Sequence, residues 1–269
     1  MCLILLAWHA HPDFPLVVAA NRDEHFSRPT ETARFWPGAS SLLAGRDVQA
    51  GGTWLGITRE GRFAALTNYR EPENGSIISE TSSRGRLVSN FLSGTQSAAD
   101  YLANLAAHSG DYRAFNLLCG TLTDGLLHYS NRAEAPESTV MQPLAPGIYG
   151  LSNSLLDVSW PKVADGKSAM ARALAQLPRN EALFRLLRDE TMHDDAKLPR
   201  TGVSLEWERV LSAAFVRAPH YGTRSSTVLT FDRRDYITFD EQTFQANTSP
   251  VTTVSRSRFR FKRAACAAS

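Results

Sequence analysis

Cysteine stands at the second position of the chain and begins a short apolar run, Cys2–Trp8. Free cysteine is among the most buried residue types, so one interpretation is an ordinary residue of a buried strand. The other interpretation requires removal of the initiator methionine, which would leave Cys2 with both a thiol and a free α-amine. An α-amine has a pKa of about 7.7–8.0 and can deprotonate a nucleophilic thiol at neutral pH. The residues further along the chain decide between these two interpretations.

Acyl transfer by such a thiol also needs donors for the oxyanion and charged groups that hold the amine. The chain offers polar residues of these types beside strand-like segments: Arg22, Asp23, Asn68, Asn153 and Arg224. Arg22 and Asp23 follow the apolar run Leu16–Asn21, which is the expected hairpin partner of the first strand. They are therefore expected to lie near Cys2. The predicted catalytic set is Cys2, Arg22, Asp23, Asn153 and Arg224, in which Asn153 donates to the oxyanion and Arg224 adds a second cation.

Further residues in the same clusters are predicted to bind a substrate: Asn21, Glu24, Trp54, Asn68 and Ser225. Asn21 and Glu24 flank the charged pair Arg22–Asp23, and either Asp23 or Glu24 is expected to face the thiol. Trp54 follows two glycines and is expected in the core or in a pocket wall. Ser225 is one of the small residues around Arg224, which would let a substrate approach closely.

The pattern of the chain predicts how these residues are positioned. Apolar and alternating runs predict hairpins around 2–21, 51–70, 115–131 and 225–244, whereas 28–38 is expected to be a loop. Helical spacing is found in 83–92, 95–108, 161–176, 180–190 and 204–216. This order predicts an α+β fold, a four-layer αββα sandwich of two antiparallel sheets. The prediction is one domain over 1–269, with a short basic tail, about 256–269, on an edge strand.

Composition excludes several classes of function. A formal charge of +2 does not favour a nucleic-acid partner, and no segment approaches the length needed for stable membrane insertion. Cys2, Cys119 and Cys266 are odd in number and form no CxxC pair, which predicts free thiols in a cytoplasmic protein. His9 and His11 lie in an expected turn without a third ligand, so no metal site is predicted.

Several motifs occur in one order along the chain: MCLI, ANRDEHFSRPT, AGRD, GGTWLGIT, LTNYR, SRG, FNLL, YGLSN and YGTRSST. On these motifs the sequence resembles the NRDE family, also called the transport-and-Golgi-organization type-two family, over about residues 1 to 240. The resemblance implies an N-terminal nucleophile (Ntn) hydrolase-like αββα fold. It also implies a distant similarity to choloylglycine hydrolase and penicillin V acylase, whose catalytic roles would fall on Cys2, Arg22, Asp23, Asn153 and Arg224.

Two hypotheses of function follow. In the first, Cys2 hydrolyses an amide C–N bond of a small molecule and requires no cofactor. In the second, the protein keeps the fold without hydrolysis and binds or transfers haem or a lipid-like ligand as cargo, because the resembled family is linked to haem movement and lipid homeostasis. A scaffold role is disfavoured, since the sequence contains no repeat or docking helix. Oligomeric state and substrate identity are not predicted.

Overall fold

The computed structural model describes residues 2–71, 83–133, 143–245 and 252–265. The strands in these residues are β1 Cys2–Trp8, β2 Leu16–His25, β3 Thr30–Trp36, β4 Ala39–Asp47, β5 Leu55–Thr58, β6 Arg62–Asn68, β7 Phe115–Thr121, β8 Gly125–Ser130, β9 Gly147–Leu151, β10 Tyr221–Phe231, β11 Tyr236–Phe244 and β12 Thr253–Lys262. The α-helices are α1 Gly85–Ser93, α2 Ala98–Ala106, α3 Pro161–Leu174, α4 Glu181–Leu187 and α5 Leu205–Leu211. Single 3-10 turns cover Ser109–Asp111 and Asp195–Lys197.

The strands form two six-stranded sheets in which neighbouring strands are antiparallel. The first sheet has the order β12-β11-β10-β2-β1-β9, and the second has the order β3-β4-β5-β6-β7-β8. Strand β1 therefore lies inside the first sheet, between β2 and β9. The predicted hairpin is confirmed, because Cys2 is paired with Arg22 and Trp8 with Leu16.

The two sheets stack face to face, and helices cover both outer surfaces. Alternate residues of β1 and β2, such as Ile4 and Val18, pack against Ile57 and Phe63 of the second sheet. Helices α1 and α2 pack on the outer face of the second sheet, and α3 and α4 pack on that of the first. The predicted four-layer αββα sandwich is confirmed. No helix in the described residues is long and apolar enough to cross a membrane.

The expected loop at 28–38 is wrong, because most of it forms β3. Ala33 alone is fully buried in this strand, and its pairing with β4 is irregular at two points. A short, irregular edge strand lacks a regular alternation of apolar residues, which explains why the pattern predicted a loop. Strand β10 also begins at Tyr221 rather than at Ser225, so the YGTRSST cluster is part of the sheet.

The basic C-terminal segment forms β12, the edge strand of the first sheet, as predicted. Its residues alternate as expected: Arg256 pairs with buried Asp240 at 2.6 Å, while Phe259 and Phe261 contact Phe35 between the sheets. Arginines on an edge strand discourage pairing with another chain. The described part of the predicted tail ends at residue 265.

Candidate active site

Cys2 is the first residue of β1 and opens into a cavity between the two sheets. Its side chain shares a strand face with Ile4, which belongs to the inter-sheet core, so the alternation of β1 directs the thiol inward. The residue is 8% exposed. The cavity has a volume of about 680 Å³ and is lined by residues of both sheets and the start of α1. A volume of this size is typical of sites for small molecules.

Eight of the ten predicted site residues line this cavity: Cys2, Arg22, Asp23, Glu24, Trp54, Asn68, Arg224 and Ser225. They come from β1, β2, β6, β10 and the segment before β5, and only the stacking of the sheets brings them together. Asn21 and Asn153 are the two residues that do not line it. Whether the eight residues act on a substrate stays a prediction.

Arg22 is held in the cavity wall by partners on both sheets. Its guanidinium donates to the Thr30 hydroxyl at 3.0 Å and lies 3.7 Å from Glu24 and 3.8 Å from Asp47. Asp47 also forms an ion pair of 2.7 Å with Arg28. Two arginines and two carboxylates therefore form one network that fixes Arg22 close to Cys2.

Asp23, rather than Glu24, is the acidic residue whose charge influences the pKa of the Cys2 thiol. Its backbone N–H donates to the Cys2 sulfur, and its charge raises the pKa of Cys2, whereas Glu24 faces Arg22 and Arg28. The Asp23 carboxyl group accepts a hydrogen bond of 2.7 Å from the Thr223 hydroxyl. This answers the question that the sequence left open between the two carboxylates.

Burial controls the protonation of both groups. Burial raises the pKa of the Cys2 thiol, Asp23 raises it further, and Arg22 lowers it. Burial also raises the pKa of Asp23, while the charge of Lys162, the Thr223 hydroxyl and Arg22 lower it. The thiol is therefore mostly protonated at neutral pH and needs a base before it can attack a carbonyl carbon.

Asn153 does not line the cavity, and its side chain instead forms a hydrogen bond that connects two segments of the chain. It is fully buried, and its amide nitrogen donates to the backbone oxygen of Asn68 at 2.8 Å. The neighbouring Ser152 hydroxyl donates to the backbone oxygen of Cys2 at 3.2 Å. Asn153 thus fixes the position of Asn68, a residue of the cavity wall whose side chain makes no hydrogen bond with the residues that the structure describes.

Asn21 lies on the opposite face of β2 from the cavity. Its amide nitrogen donates to the backbone oxygens of Leu187 and Ala214, and its oxygen accepts from the Ser226 hydroxyl at 2.6 Å. Because residues alternate along a strand, Asn21 and Arg22 cannot both point between the sheets. Asn21 therefore connects the sheet to the segments that flank α4 and α5.

Arg224 is placed in the cavity by a β-bulge. Thr223 pairs with Asp23 and Ser225 pairs with Arg22, so Arg224 is the extra residue of β10. Its guanidinium donates to the backbone oxygens of His25 and Arg28, at 2.8 and 3.0 Å. A bulge can redirect a side chain in this way. The arginine fixes the turn after β2 while it lines the cavity.

The cavity also contains charged residues to which the sequence interpretation gave no role: Arg28, Asp47, Arg84, Arg113 and Glu241. Asp47 and Arg84 belong to the motifs AGRD and SRG, which pointed to them without indicating a contact with Cys2. No motif pointed to Arg113 or Glu241. In the described parts of the chain, no group of three or more His, Cys, Asp or Glu side chains is arranged to hold a metal ion.

Fold and cavity together define an αββα sandwich protein with a cysteine thiol at the end of a central strand, beside a paired arginine and aspartate. The family model "Transport and Golgi organisation 2" matches residues 1–246, and the chain belongs to that family. It is 36% identical over 263 residues to the Transport and Golgi organization protein 2 homolog of Bos taurus, covering 90% of this chain and 92% of that protein. The human homolog is 35% identical with the same coverage.

Two solved structures are similar to this chain at much lower sequence identity. One is the Caenorhabditis elegans N-acylethanolamine-hydrolyzing acid amidase ortholog, with a TM-score of 0.47, 11% identity, and coverage of 85% of this chain and 92% of that chain. The other is a conjugated bile acid hydrolase from Clostridium perfringens, with a TM-score of 0.38, 10% identity, and coverage of 100% and 99%. No residue role is transferred from them.

Proposed function

We propose that this protein is an N-terminal cysteine amidohydrolase that cleaves an amide C–N bond of a small molecule bound in the cavity. The observation that carries the proposal is the position of Cys2, which lines the cavity beside Arg22 and Asp23. In this proposal Met1 is removed and the mature chain begins at Cys2. The reaction requires no cofactor, because the thiol, the amine and water supply all the reacting groups.

The α-amine is the base in this mechanism. Burial raises the pKa of the thiol, so the amine must remove its proton during the attack. This amine is the backbone nitrogen of Cys2 itself, freed by removal of Met1, and Cys2 pairs with Arg22, the neighbour of Asp23 on β2. The Asp23 carboxylate orients the resulting ammonium group, and Thr223 fixes that carboxylate at 2.7 Å.

The steps balance without another reagent. The Cys2 sulfur bonds to the amide carbon, and its proton goes to the α-amine. The C–N bond then breaks, the ammonium group returns this proton to the leaving amine, and a thioester remains. Water attacks the thioester carbon and gives a proton to the amine, the C–S bond breaks, and the thiol is re-formed with release of a carboxylic acid.

In this proposal the Asn68 side chain is the amide donor that stabilises the oxyanion. It lines the cavity, whereas the amide nitrogen of Asn153 is used in a bond to the Asn68 backbone. Arg224 donates to backbone oxygens, so its contribution is to the shape and charge of the cavity. We therefore assign the predicted oxyanion role of Asn153 to Asn68, with Asn153 as its positioning residue.

Intact mass spectrometry of protein from its native host tests the first requirement, since retention of Met1 would refute the mechanism. Hydrolysis is then measured on a panel of fluorogenic N-acyl aminocoumarins with acyl groups of different size and charge. We expect Cys2→Ala to abolish turnover and the acyl-enzyme mass. Cys119→Ala is the matched control, because Cys119 is a free thiol buried in the second sheet, where burial raises its pKa to about 12.

A second candidate function is binding or transfer without hydrolysis, with haem or a lipid-like molecule as cargo. The raised pKa of Cys2 supports it, because a protonated thiol in a large cavity suits ligand contact better than attack. Titration with haem, followed by absorbance, tests it with Cys2→Ala and Trp54→Ala. A Soret shift lost on Trp54→Ala and kept on Cys2→Ala supports transfer, and absence of haem or lipid binding at micromolar concentration refutes it.

The proposed location is the cytoplasm. Cys2 and Cys119 are both free thiols in the structure, which suits a reducing compartment. Cell fractionation with an antibody to the native protein tests this location, and recovery in an oxidising compartment would contradict it.

A further inference from the structure

Four arginines of the cavity wall have no carboxylate partner among the described residues, Arg46, Arg84, Arg113 and Arg224, and the pair Arg84 and Arg113 is close to Cys2. Arg84 is half-buried at the start of α1, and Arg113 is exposed in the segment before β7. Arg84 donates to the backbone oxygen of Ala114 at 2.8 Å. Among the residues that the structure describes, no carboxylate oxygen lies within 4.0 Å of either guanidinium. Within the described parts of the chain, these two cations therefore lie at the cavity without an ion pair.

The two guanidinium groups are also close enough to repel each other. Burial and, after it, the charge of Arg113 lower the pKa of Arg84 to about 10. The same guanidinium lies within electrostatic range of Cys2, whose thiolate form raises the pKa of Arg84. Two like charges held together at a cavity wall cost energy unless an anion lies between them.

The carboxylates of the cavity compensate only in part for these two charges: the charge of Glu24 raises the pKa of Arg84, but no carboxylate of the described residues forms an ion pair with Arg84 or Arg113. Glu24 and Asp47 are already shared by Arg22 and Arg28. Burial raises the pKa of Glu241 to about 7, so at neutral pH this carboxyl group is partly protonated.

Asp23 and Glu31 do not face these cations either. Asp23 accepts from Thr223, and Glu31 forms an ion pair of 2.7 Å with Arg34. The wall formed by Arg84 and Arg113 therefore keeps a positive charge that an anionic ligand would neutralise.

We infer that Arg84 and Arg113 form a subsite for an oxyanion, a carboxylate or phosphate group, carried by the ligand that occupies the cavity beside Cys2. The geometry of a guanidinium suits both groups, since its N–H donors match two oxygens of a carboxylate or a phosphate. Placement of the subsite beside Cys2 means that the ligand binds with its anionic group at Arg84 and Arg113. This inference rests on the proposed function only in taking the same cavity as the ligand site.

A pair of alkylating reagents tests the subsite directly. Iodoacetate and iodoacetamide have nearly the same size, and with both the Cys2 thiolate displaces iodide and forms a C–S bond, but only iodoacetate is an anion. The rate of Cys2 modification by iodoacetate is divided by the rate with iodoacetamide, both measured by peptide mass spectrometry. This ratio is compared with the same ratio for 2-mercaptoethanol. Because both reagents use the same thiolate, a changed pKa of Cys2 cancels in this ratio.

We expect a ratio above that of 2-mercaptoethanol, and a fall of about threefold to tenfold in Arg84→Gln and in Arg113→Gln, the effect of one partly screened charge. Arg86→Gln is the matched control, because Arg86 is an exposed residue of the same helix and does not line the cavity. The inference is overturned if neither cavity variant changes the ratio, or if Arg86→Gln changes it equally.

A second measurement does not depend on the thiol. Inorganic phosphate and succinate are added separately to the wild-type protein, and sodium chloride of the same ionic strength is the reference. A higher melting temperature with phosphate, succinate or both shows which oxyanion binds, and the rise should disappear in Arg84→Gln. A melting temperature unchanged by both anions overturns the subsite. If both reagents leave Cys2 unmodified while the anions stabilise the protein, the subsite stands and the nucleophile of the proposed function fails.

Discussion

The Glu241 carboxyl group is buried between the two sheets. We predict that replacing Glu241 with glutamine raises the free energy of unfolding at alkaline pH. The side chain is 4% exposed, accepts from the backbone N–H of Ala33 at 2.7 Å, and lies 3.4 Å from the Thr227 hydroxyl. Burial raises its pKa from 4.5 to about 7, although these hydrogen bonds and the charge of Arg22 act in the opposite direction. The ionised form is therefore unfavourable in the folded protein.

The magnitude follows from linkage. The difference between 4.5 and about 7 corresponds to roughly 3 kcal/mol, at about 1.4 kcal/mol for each pKa unit. Because the folded state binds this proton more tightly than the unfolded state, Glu241 lowers the free energy of unfolding as pH rises from 4.5 to 7. The full loss is reached above pH 7. The effective dielectric constant around a buried charge reduces this penalty, so we expect about 2 kcal/mol in practice.

Glu241→Gln removes the charge and keeps an oxygen that can accept from Ala33. We expect the variant to be about 2 kcal/mol more stable than wild type at pH 8.5, and within about 0.5 kcal/mol of it at pH 5. Urea unfolding at both pH values measures this difference. Glu31→Gln is the control, because Glu31 lines the same cavity and forms a more exposed ion pair with Arg34.

Two results would refute this reasoning. One is a Glu241→Gln variant less stable than wild type at both pH values, which would show that the carboxylate stabilises the fold. The other is the same difference at pH 5 and pH 8.5, which would show that the effect does not come from ionisation. A confirmed result would also mean that the cavity becomes more positive below pH 7, where anions should bind more tightly.

Two further predictions concern the support of the site, each measured by urea unfolding. Thr223→Val removes the hydrogen bond to Asp23 and the acceptor of a buried backbone N–H, so we expect a loss of about 2–4 kcal/mol. Thr230→Val on the same strand should change stability by less than about 1 kcal/mol, and an equal loss there would contradict the prediction. Gly52→Ala places a Cβ 2.4 Å from the backbone of the first residue of α1, so we expect a loss of about 1–3 kcal/mol and a slower reaction of Cys2 with iodoacetate, because Arg84 moves. Gly110→Ala meets no atom within 4 Å, and a similar loss in that control would remove the steric explanation.

Local patterns were sufficient to predict most of the framework. Apolar runs and turn residues predicted the hairpin of Cys2–Trp8 with Leu16–Asn21, and the structure confirms this pairing. Helical spacing located α1 to α5, although α2 to α5 are shorter than the segments predicted. Strand β3 was missed, because an irregular edge strand with one fully buried side chain has no regular alternation.

The candidate site was predictable in composition and only partly in geometry. The order of motifs identified Cys2, Arg22 and Asp23 as neighbours, since pairing of β1 with β2 brings them together. Sequence could not show that Asn153 donates to the backbone of Asn68, because that bond joins residues 85 positions apart. Whether an amide side chain lies at the cavity depends on how the two sheets stack, which no local pattern shows.

By itself the sequence determined the two kinds of element, the αββα order and the thiol at the start of a buried strand. These depend on periodicity and turns, which act over a few residues. Only the tertiary structure decided which charges share the cavity: it brings Arg84 and Arg113 beside Cys2, and it buries Glu241 against Ala33 of the opposite sheet. Such contacts depend on how two sheets and a helix pack, and burial then sets the protonation of each group, so no local pattern records them.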